Sequence, residues 1–343
     1  MRRSGWILVG LGVLSLVAAV VLRFVVAPNA TKLPADTDTV TTYSGTGSIL
    51  NATALQQGDV ANAVARNIPV TLDRHVYVSQ TEGNTAIVHD DLTLKSQATS
   101  IDDNHTYAVD RTKLTEAPTI QGVQVEDHQG LTISLPADPD PKSDVYKYWD
   151  TPTRVAVPVR YVGTEKRGGR ETYHYEAKAS APLTNPSLQQ RLPSSLPRTL
   201  APRLLTLLPA DTQQRLTPLL SALPDQIPLS YTASSTYNVW ADTKLGVPID
   251  TEINRTIVAN VSAVDIPLIP VLSIDVTEDQ ASVKAAADKA SSATTKLTWL
   301  RTWGPFLLVI LGLVLALLGL GRRKPPTTAA AEPPVGAAPR APN

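Results

Sequence analysis

Two long apolar segments, one near each end of the chain, constrain its fold more than any other sequence feature. Ser4–Leu22 is a run of 19 uncharged residues, and Thr302–Gly321 is a second run of 20. About 20 helical residues cross a hydrocarbon core of roughly 30 Å. Trp6, Trp299 and Trp303 lie at the edges of these runs, where indole rings favour the headgroup zone. The sequence therefore predicts two transmembrane helices, the second over residues 302–321.

The first apolar run is also compatible with a cleaved signal peptide, because Arg2 and Arg3 precede it. However, the run exceeds the roughly 7–15 residues of an ordinary apolar signal region. The nearest candidate cleavage site ends at Ala27, directly before Pro28. We therefore expect residues 1–27 to form a cytoplasmic Arg cluster and a retained signal anchor.

Basic residues beside the two runs indicate an orientation. Arg2 and Arg3 precede the first run, and a basic cluster at 322–324 follows the second. Cytoplasmic flanks are enriched in Lys and Arg, so we expect both termini in the cytoplasm and residues 28–302 outside the plasma membrane. The net charge of zero divides in the same way, into −6 for residues 28–302 and +6 for the remainder. This balance argues against nucleic-acid binding, which needs a basic face.

Composition narrows the chemistry further. The chain has no cysteine, which excludes disulfides, thiolate metal sites and cysteine nucleophiles. Its five histidines are scattered and never recur at metal-ligand spacing, so we expect no metal and no cofactor; they are His75, His89, His105, His128 and His174. A Ser–His–Asp set can be distant in sequence, but no motif selects one. We predict no catalytic residues and no enzyme activity, and a cryptic hydrolase is the third alternative.

The region between the runs has the alternation of antiparallel β structure. After a polar spacer at 28–42, we predict a β-rich (α+β) extracytoplasmic domain over 43–274, with a curved half-barrel as one form. Segments of period two that predict strands are Val70–Gln80, Ala86–Ser96, His105–Asp110, Thr119–Val125, Leu131–Leu135, Arg154–Gly163, Glu171–Ala179, Ser230–Trp240, Val247–Ile257 and Ile257–Val264. The short connections between them favour antiparallel pairing.

Several short segments predict turns. Lys166–Arg170 contains two glycines, which tolerate the positive φ of a tight hairpin, and Tyr43–Ser48 also has the composition of a Gly/Ser turn. Asp110, Asp150 and Asp242 each end an apolar strand and precede a threonine by one or two residues. Such an Asp accepts a hydrogen bond from the backbone two residues on, so we interpret these acids as structural.

The segment 185–228 is rich in leucine and is cut into short pieces by proline. Because proline suits the first turn of a helix, we predict several short amphipathic helices. Their apolar face caps one open side of the sheet, and it is also compatible with a lid over an apolar cavity or with a surface that touches lipid. The candidate lid residues are Leu196, Leu200, Leu204, Leu208, Leu216 and Leu220.

The remaining segments frame the second span. Residues 275–301 predict an exposed helical stalk, and 322–343 a disordered cytoplasmic tail rich in proline and alanine. Small residues recur at helix-neighbour spacing in both spans, and such residues let helices approach closely in lipid. They are Gly12, Ser15 and Ala19 in the first span and Gly312, Ala316 and Gly319 in the second. Packing of the two spans, or a homo-oligomer through them, is one hypothesis that follows.

The layout resembles the porin PorA family of actinobacterial two-span envelope proteins. The resemblance rests on the basic first span, the basic end of the second, and four internal motifs, which are Val109–Thr112, Tyr148–Thr151, Thr172–Tyr175 and Val239–Asp242 with Gly246. It covers nearly the whole chain. It implies a location in the cell envelope, and the family name implies pore formation.

The sequence leaves two principal functions open. We expect a binding or scaffold role, in which the β domain holds envelope lipid or a protein partner beside the Leu-rich insert. The alternative is a pore-forming protein, as the resemblance implies. Spans without internal charge do not favour a hydrophilic lumen, and outer-membrane barrels have no helical spans.

Overall fold

The computed structural model describes residues 3–97, 99–264 and 266–321, which fall into two compact units. Among the described residues, a helical unit draws on 3–29 and 296–321, and a β unit spans 30–295. Met1, Arg2, the basic cluster at 322–324 and the predicted tail lie outside the described residues.

The helical unit contains both apolar runs, and both are helices as predicted. Helix α1 spans Arg3–Val21, continues through a π-helical turn at Leu22–Val26 and ends in α2, Ala27–Asn29. The second run is α8, Gly304–Gly321, which a π-helical turn at Trp299–Trp303 precedes. Both helices are long and apolar enough to cross a membrane.

The β unit is a curled antiparallel sheet of eleven strands within the described residues. The strands are β1 Asp38–Leu50, β2 Val64–Glu82, β3 Thr85–Lys95, β4 Ser100–Asp110, β5 Lys147–Asp150, β6 Val155–Arg167, β7 Arg170–Pro182, β8 Ser195–Pro197, β9 Gln226–Asp242, β10 Pro248–Val261 and β11 Ile266–Glu278. Their order is β4-β3-β2-β1-β11-β10-β9-β7-β6-β5, and β8 pairs with β9. The prediction of an antiparallel curved half-barrel is confirmed.

The helices of the β unit are short except for the last. They are α3 Ala52–Gln56, α4 Pro186–Gln189, α5 Ala201–Leu205, α6 Ala210–Leu216 and α7 Gln280–Thr298, with 3₁₀ turns at Val60–Asn62, Arg198–Leu200 and Thr217–Ala222. Asn185 caps α4 by accepting a hydrogen bond from the Leu188 amide, and Pro186 occupies its first turn. The prediction of short helices in the insert is thus confirmed.

The core lies on the inner face of the curled sheet, because the strands alternate between buried apolar and exposed polar residues. In β11, Ile274 and Val276 are buried, whereas Asp275 and Thr277 are exposed. Inward residues of β1, β2, β9, β10 and β11 form one continuous apolar cluster. The inner face is therefore filled mainly by side chains.

Two strand predictions and one turn prediction were wrong. Thr119–Val125 and Leu131–Leu135 are irregular, with a single bridge from Leu131 to Tyr148. The predicted turn at Tyr43–Ser48 lies inside β1, where a Cβ on Gly45 would clash with the Asp275 carbonyl oxygen. Glycine there permits a close approach of two backbones.

The last strand and helix also differ from prediction. The prediction of a separate strand at Ile257–Val264 was wrong, because residues 257–261 are the end of β10. β11 was not predicted, because Pro267 and Pro270 interrupt its pattern, and proline normally argues against a central strand. Helix α7 begins at Gln280, after β11, and it is not a wholly exposed stalk. Val283, Ala287 and Ala290 pack on Ile249.

The predicted hydrogen bonds from backbone amides to the Asp side chains at the strand ends are present. Asp110 accepts hydrogen bonds from the amides of Thr112 and Lys113 at 2.8 and 2.7 Å, and Asp242 accepts from Lys244 at 2.9 Å. Asp150 differs by one residue, since it accepts from the Thr153 amide at 3.1 Å. These side chains close the turns after β4, β5 and β9.

The hairpin between β6 and β7 holds α7 against the sheet. Gly168 and Gly169 adopt φ of 54° and 78°, which favour glycine. A Cβ on Gly168 would lie 2.8 Å from the Ala287 Cβ, and Arg170 donates hydrogen bonds to Asp242 and to Thr294 Oγ1 at 2.8 Å. The β6–β7 hairpin, the end of β9 and helix α7 are therefore joined at one point.

Candidate functional site

The two long helices of the helical unit pack through glycines. A Cβ on Gly12 would lie 2.7 Å from the Gly312 carbonyl oxygen, and one on Gly312 would lie 2.8 Å from the Gly12 carbonyl oxygen. A Cβ on Gly319 would likewise meet the Gly5 carbonyl oxygen at 2.7 Å. Glycine lets helices approach closely in lipid, so the predicted packing of one span on the other is present within a single chain.

The outer faces of this helix pair are apolar. Leu14 is 65% exposed and Leu317 is 69% exposed, whereas Ala19 is buried in the pair. A Cβ on Gly10 would meet no atom within 4 Å. These faces suit lipid or another copy of the pair, since no water-filled space between the helices remains at the glycine contacts.

The six candidate lid residues lie together at one end of the β unit. Leu196, Leu204, Leu208 and Leu216 are buried, and Leu200 and Leu220 are half-buried. They pack with apolar residues from the ends of β9, β10 and β11. The space among them is about 10 Å³, at the lower end of the roughly 10–15 Å³ that a single water needs. They complete a core at this end of the sheet, and their role over a ligand stays a prediction.

A larger space, here called the first cavity, lies beside the start of the same insert. Its volume is about 410 Å³, within the roughly 300–1,000 Å³ of small-molecule sites. Leu188 and Leu192 of the insert form one wall, and Ile257 and Leu272 contribute to the floor. Arg191, at the rim, donates to the Asp102 carbonyl oxygen at 3.4 Å. The arrangement combines apolar side chains with one cation and with four neutral polar residues, Asn51, Thr53, Ser96 and Thr99.

A second cavity of about 250 Å³ lies between the sheet and α7. Its lining is mostly apolar and includes Leu33, Val76, Ile133, Leu245, Val247 and Ala290. Three charged residues, Arg74, Lys289 and Glu278, also line it. Arg74 donates to both Asp90 carboxylate oxygens at 2.7 Å and to the Thr132 carbonyl oxygen at 2.9 Å.

A buried polar chain crosses the core near these cavities. Arg255 donates to the Tyr237 hydroxyl at 2.9 Å, and that hydroxyl donates to Asp150 at 2.7 Å. Burial raises the pKa of Tyr237 well above its ordinary range, an effect that Arg255 opposes and Asp150 reinforces. The hydroxyl therefore stays protonated and links a buried cation to a buried anion.

A second polar cluster joins β4 to α4. His105 Nε2 lies 3.2 Å from Asp103, and its Nδ1 lies 3.0 Å from Glu126. Burial opposes protonation of His105, but the two carboxylates outweigh it and raise its pKa to about 9. Asp103 also accepts hydrogen bonds from Asn185 at 3.0 Å and from Ser187.

The second cluster contains Ser, Asp and His, but its bonds differ from those of a nucleophilic triad. Ser187 donates to Asp103 and not to His105, whereas a triad serine donates to its histidine. Among the described residues, no three His, Asp or Glu side chains form a metal-binding group. The absence of enzyme activity stays a prediction.

Fold and helices together define a class of protein, in which two apolar helices flank a curled antiparallel β unit with a helical insert. The family model for Porin PorA matches residues 4–321, nearly the whole chain, so the chain belongs to the porin PorA family. A comparison with curated proteins returned no match. Family and helices indicate a membrane protein.

Sequence reasoning missed the residues that line the two cavities. Leu188 and Leu192 belong to the predicted insert, but the sequence pattern does not distinguish them from the leucines that fill the core beneath the insert. Glu278 was assigned to a helical stalk. Recognising β11 would have placed Glu278 on the same inward face of the strand as Ile274 and Val276.

Proposed function

We propose that this chain forms a pore in the cell envelope by assembly of several copies through their apolar helices. The observation that carries the proposal is membership of the porin PorA family over residues 4–321. Of the two functions left open by the sequence, this membership favours the pore. The exposed apolar faces around Leu14 and Leu317 supply a surface for assembly.

The helices, rather than the β unit, are the elements proposed to cross the membrane. Porin barrels turn apolar residues outward and polar residues toward the lumen. The β unit has the opposite arrangement, with Ile274 and Val276 inward and Asp275 and Thr277 outward. Its order also ends at β4 and β5, which leaves two edges, and unpaired edges do not occur in the hydrocarbon region.

The lumen is proposed to lie between copies, and because neither span has an internal charge, its wall is proposed to be apolar rather than hydrophilic. Within one chain, the contact between Gly12 and Gly312 closes the space between the two helices. Recordings from planar bilayers that contain the full chain test conductance, and cross-linking in the same detergent tests assembly. A protein that inserts but stays monomeric and silent would contradict the proposal.

The proposed orientation places both termini in the cytoplasm and residues 28–302 outside. The chain has no cysteine, so an introduced thiol can be labelled without background. Val145→Cys, at a position 73% exposed, should react with an impermeant reagent added to intact cells. If the thiol were labelled only after lysis of the cells, the proposed orientation would be contradicted.

Binding of an envelope lipid in the first cavity is the second candidate function. The specific observation in its favour is a space of about 410 Å³ with an apolar wall at Leu188 and Leu192 and with Arg191 at its rim, which matches an acyl chain with an anionic headgroup. Leu192→Trp should fill this space and lower the lipid that copurifies with the full chain. Leu207→Trp is the control, because Leu207 belongs to the same insert but is 39% exposed and does not line the cavity.

A further inference from the structure

Glu278 is an inward-facing acid in an otherwise apolar row. It follows Ile274 and Val276 on the buried face of β11 and is 7% exposed. Glu278 is one of the residues that line the second cavity. Among the described residues, no hydrogen bond to its carboxylate is found.

The neighbouring charges of Glu278 are engaged elsewhere. Arg74 pairs with Asp90 at 2.7 Å, and Asp250 lies 3.3 Å from Arg167. Two further charged groups, Lys289 and Asp279, bond to other atoms: Lys289 Nζ donates to the Asp38 carbonyl oxygen and to Thr39 Oγ1, both at 3.3 Å, and Asp279 accepts from Ser44. The Tyr43 hydroxyl is the remaining titratable group on the cavity wall.

These surroundings leave the Glu278 carboxylate without a counter-charge of its own. Burial raises its pKa to about 8, the charge of Asp250 adds to the rise, and Arg74 opposes it only in part. A cation placed beside Glu278 would supply the missing charge and the missing hydrogen-bond donors.

We propose that the second cavity binds a small organic cation, a primary ammonium on a short apolar tail, with the ammonium on the Glu278 carboxylate. The apolar wall formed by Val76, Ile133 and Val247 takes the tail. A volume of about 250 Å³ corresponds to roughly eight waters at about 30 Å³ each, so the tail is short. The site is independent of ion conduction and of the first cavity.

The test uses n-butylammonium as the probe and n-butanol as its uncharged counterpart, with the full chain in detergent and calorimetry as the readout. Butylammonium should bind at least tenfold more tightly than butanol at pH 8. Its affinity should rise with pH by up to tenfold per unit between pH 6 and 8, because Glu278 must ionise. Equal affinities for the two probes would overturn the proposal.

Three variants locate the binding. Glu278→Gln should lower butylammonium affinity at least tenfold, and Ala286→Leu, on the α7 wall, should lower it by filling space. Glu82→Gln, the same substitution at an exposed position, should leave it unchanged. Near-UV circular dichroism confirms folding of each variant. Unchanged affinity in folded Glu278→Gln would overturn the proposal, and loss in Glu82→Gln would do so too.

Discussion

Gly12 and Gly312 face each other across the helix pair, so that a Cβ on either would lie within 2.8 Å of the carbonyl oxygen of the other. Contacts of a Cβ below about 3 Å force a shift of backbone, since neither oxygen belongs to a flexible side chain. The pair is therefore held by backbone proximity, which only the smallest residue permits.

Gly12→Ala should separate the helices and lower the free energy of unfolding by about 1–3 kcal/mol, the usual effect of overpacking. Gly10→Ala is the matched control, because the added methyl group would meet no atom within 4 Å. Denaturation of the full chain in mixed micelles measures the free energy of unfolding of both variants. Equal stability of the two variants would argue against the glycine contact.

Tyr237→Phe should destabilise the β unit by about 1–3 kcal/mol, because it leaves the buried groups of Asp150 and Arg255 without their shared partner. Tyr161→Phe removes a hydroxyl from a residue that is 37% exposed, so its effect should stay below about 0.5 kcal/mol. Thermal melting followed by near-UV circular dichroism compares them. Similar melting temperatures for the two variants would show that the hydrogen bonds of Tyr237 to Arg255 and Asp150 contribute little to stability.

His105 should make stability depend on pH. Its folded-state pKa, about 9, lies above the ordinary value of 6.5, so its contribution is complete below pH 6.5 and is lost as pH rises toward 9. His105→Gln should therefore lose about 1–3 kcal/mol at pH 6 and less at pH 9.5. A destabilisation that is the same at both pH values would contradict the raised pKa.

Glu278 should affect stability at a different range of pH. Its pKa is raised from 4.5 to about 8, so the folded state holds a proton that the unfolded state releases, and stability falls from pH 4.5 to 8. Glu278→Gln should exceed the wild type in unfolding free energy by on the order of 3 kcal/mol at pH 9, and by little at pH 4. Glu82→Gln should follow the wild type throughout.

The sequence predicted those elements whose signal is local. Both spans have long uncharged runs, and the hairpin at Gly168 and Gly169 follows from their tolerance of positive φ. The Asp turns followed from the reach of a short carboxylate, and Asp110 and Asp242 bond as expected.

The features that escaped prediction depend on contacts distant in sequence. Gly45 is a strand residue because the Asp275 backbone lies against it, more than 200 residues on. Thr119–Val125 alternates but pairs with no strand in the part of the chain that the structure describes. The cavities required the three-dimensional arrangement of the insert, the sheet and α7, to which no single motif points.

Conductance of the full chain in planar bilayers tests the central proposal most directly. We expect discrete conductance steps whose frequency rises steeply with protein load, because several copies must assemble. Flotation with liposomes confirms that the protein has inserted. Inserted protein that gives no steps at any load would contradict pore formation and leave binding in the first cavity as the remaining candidate function.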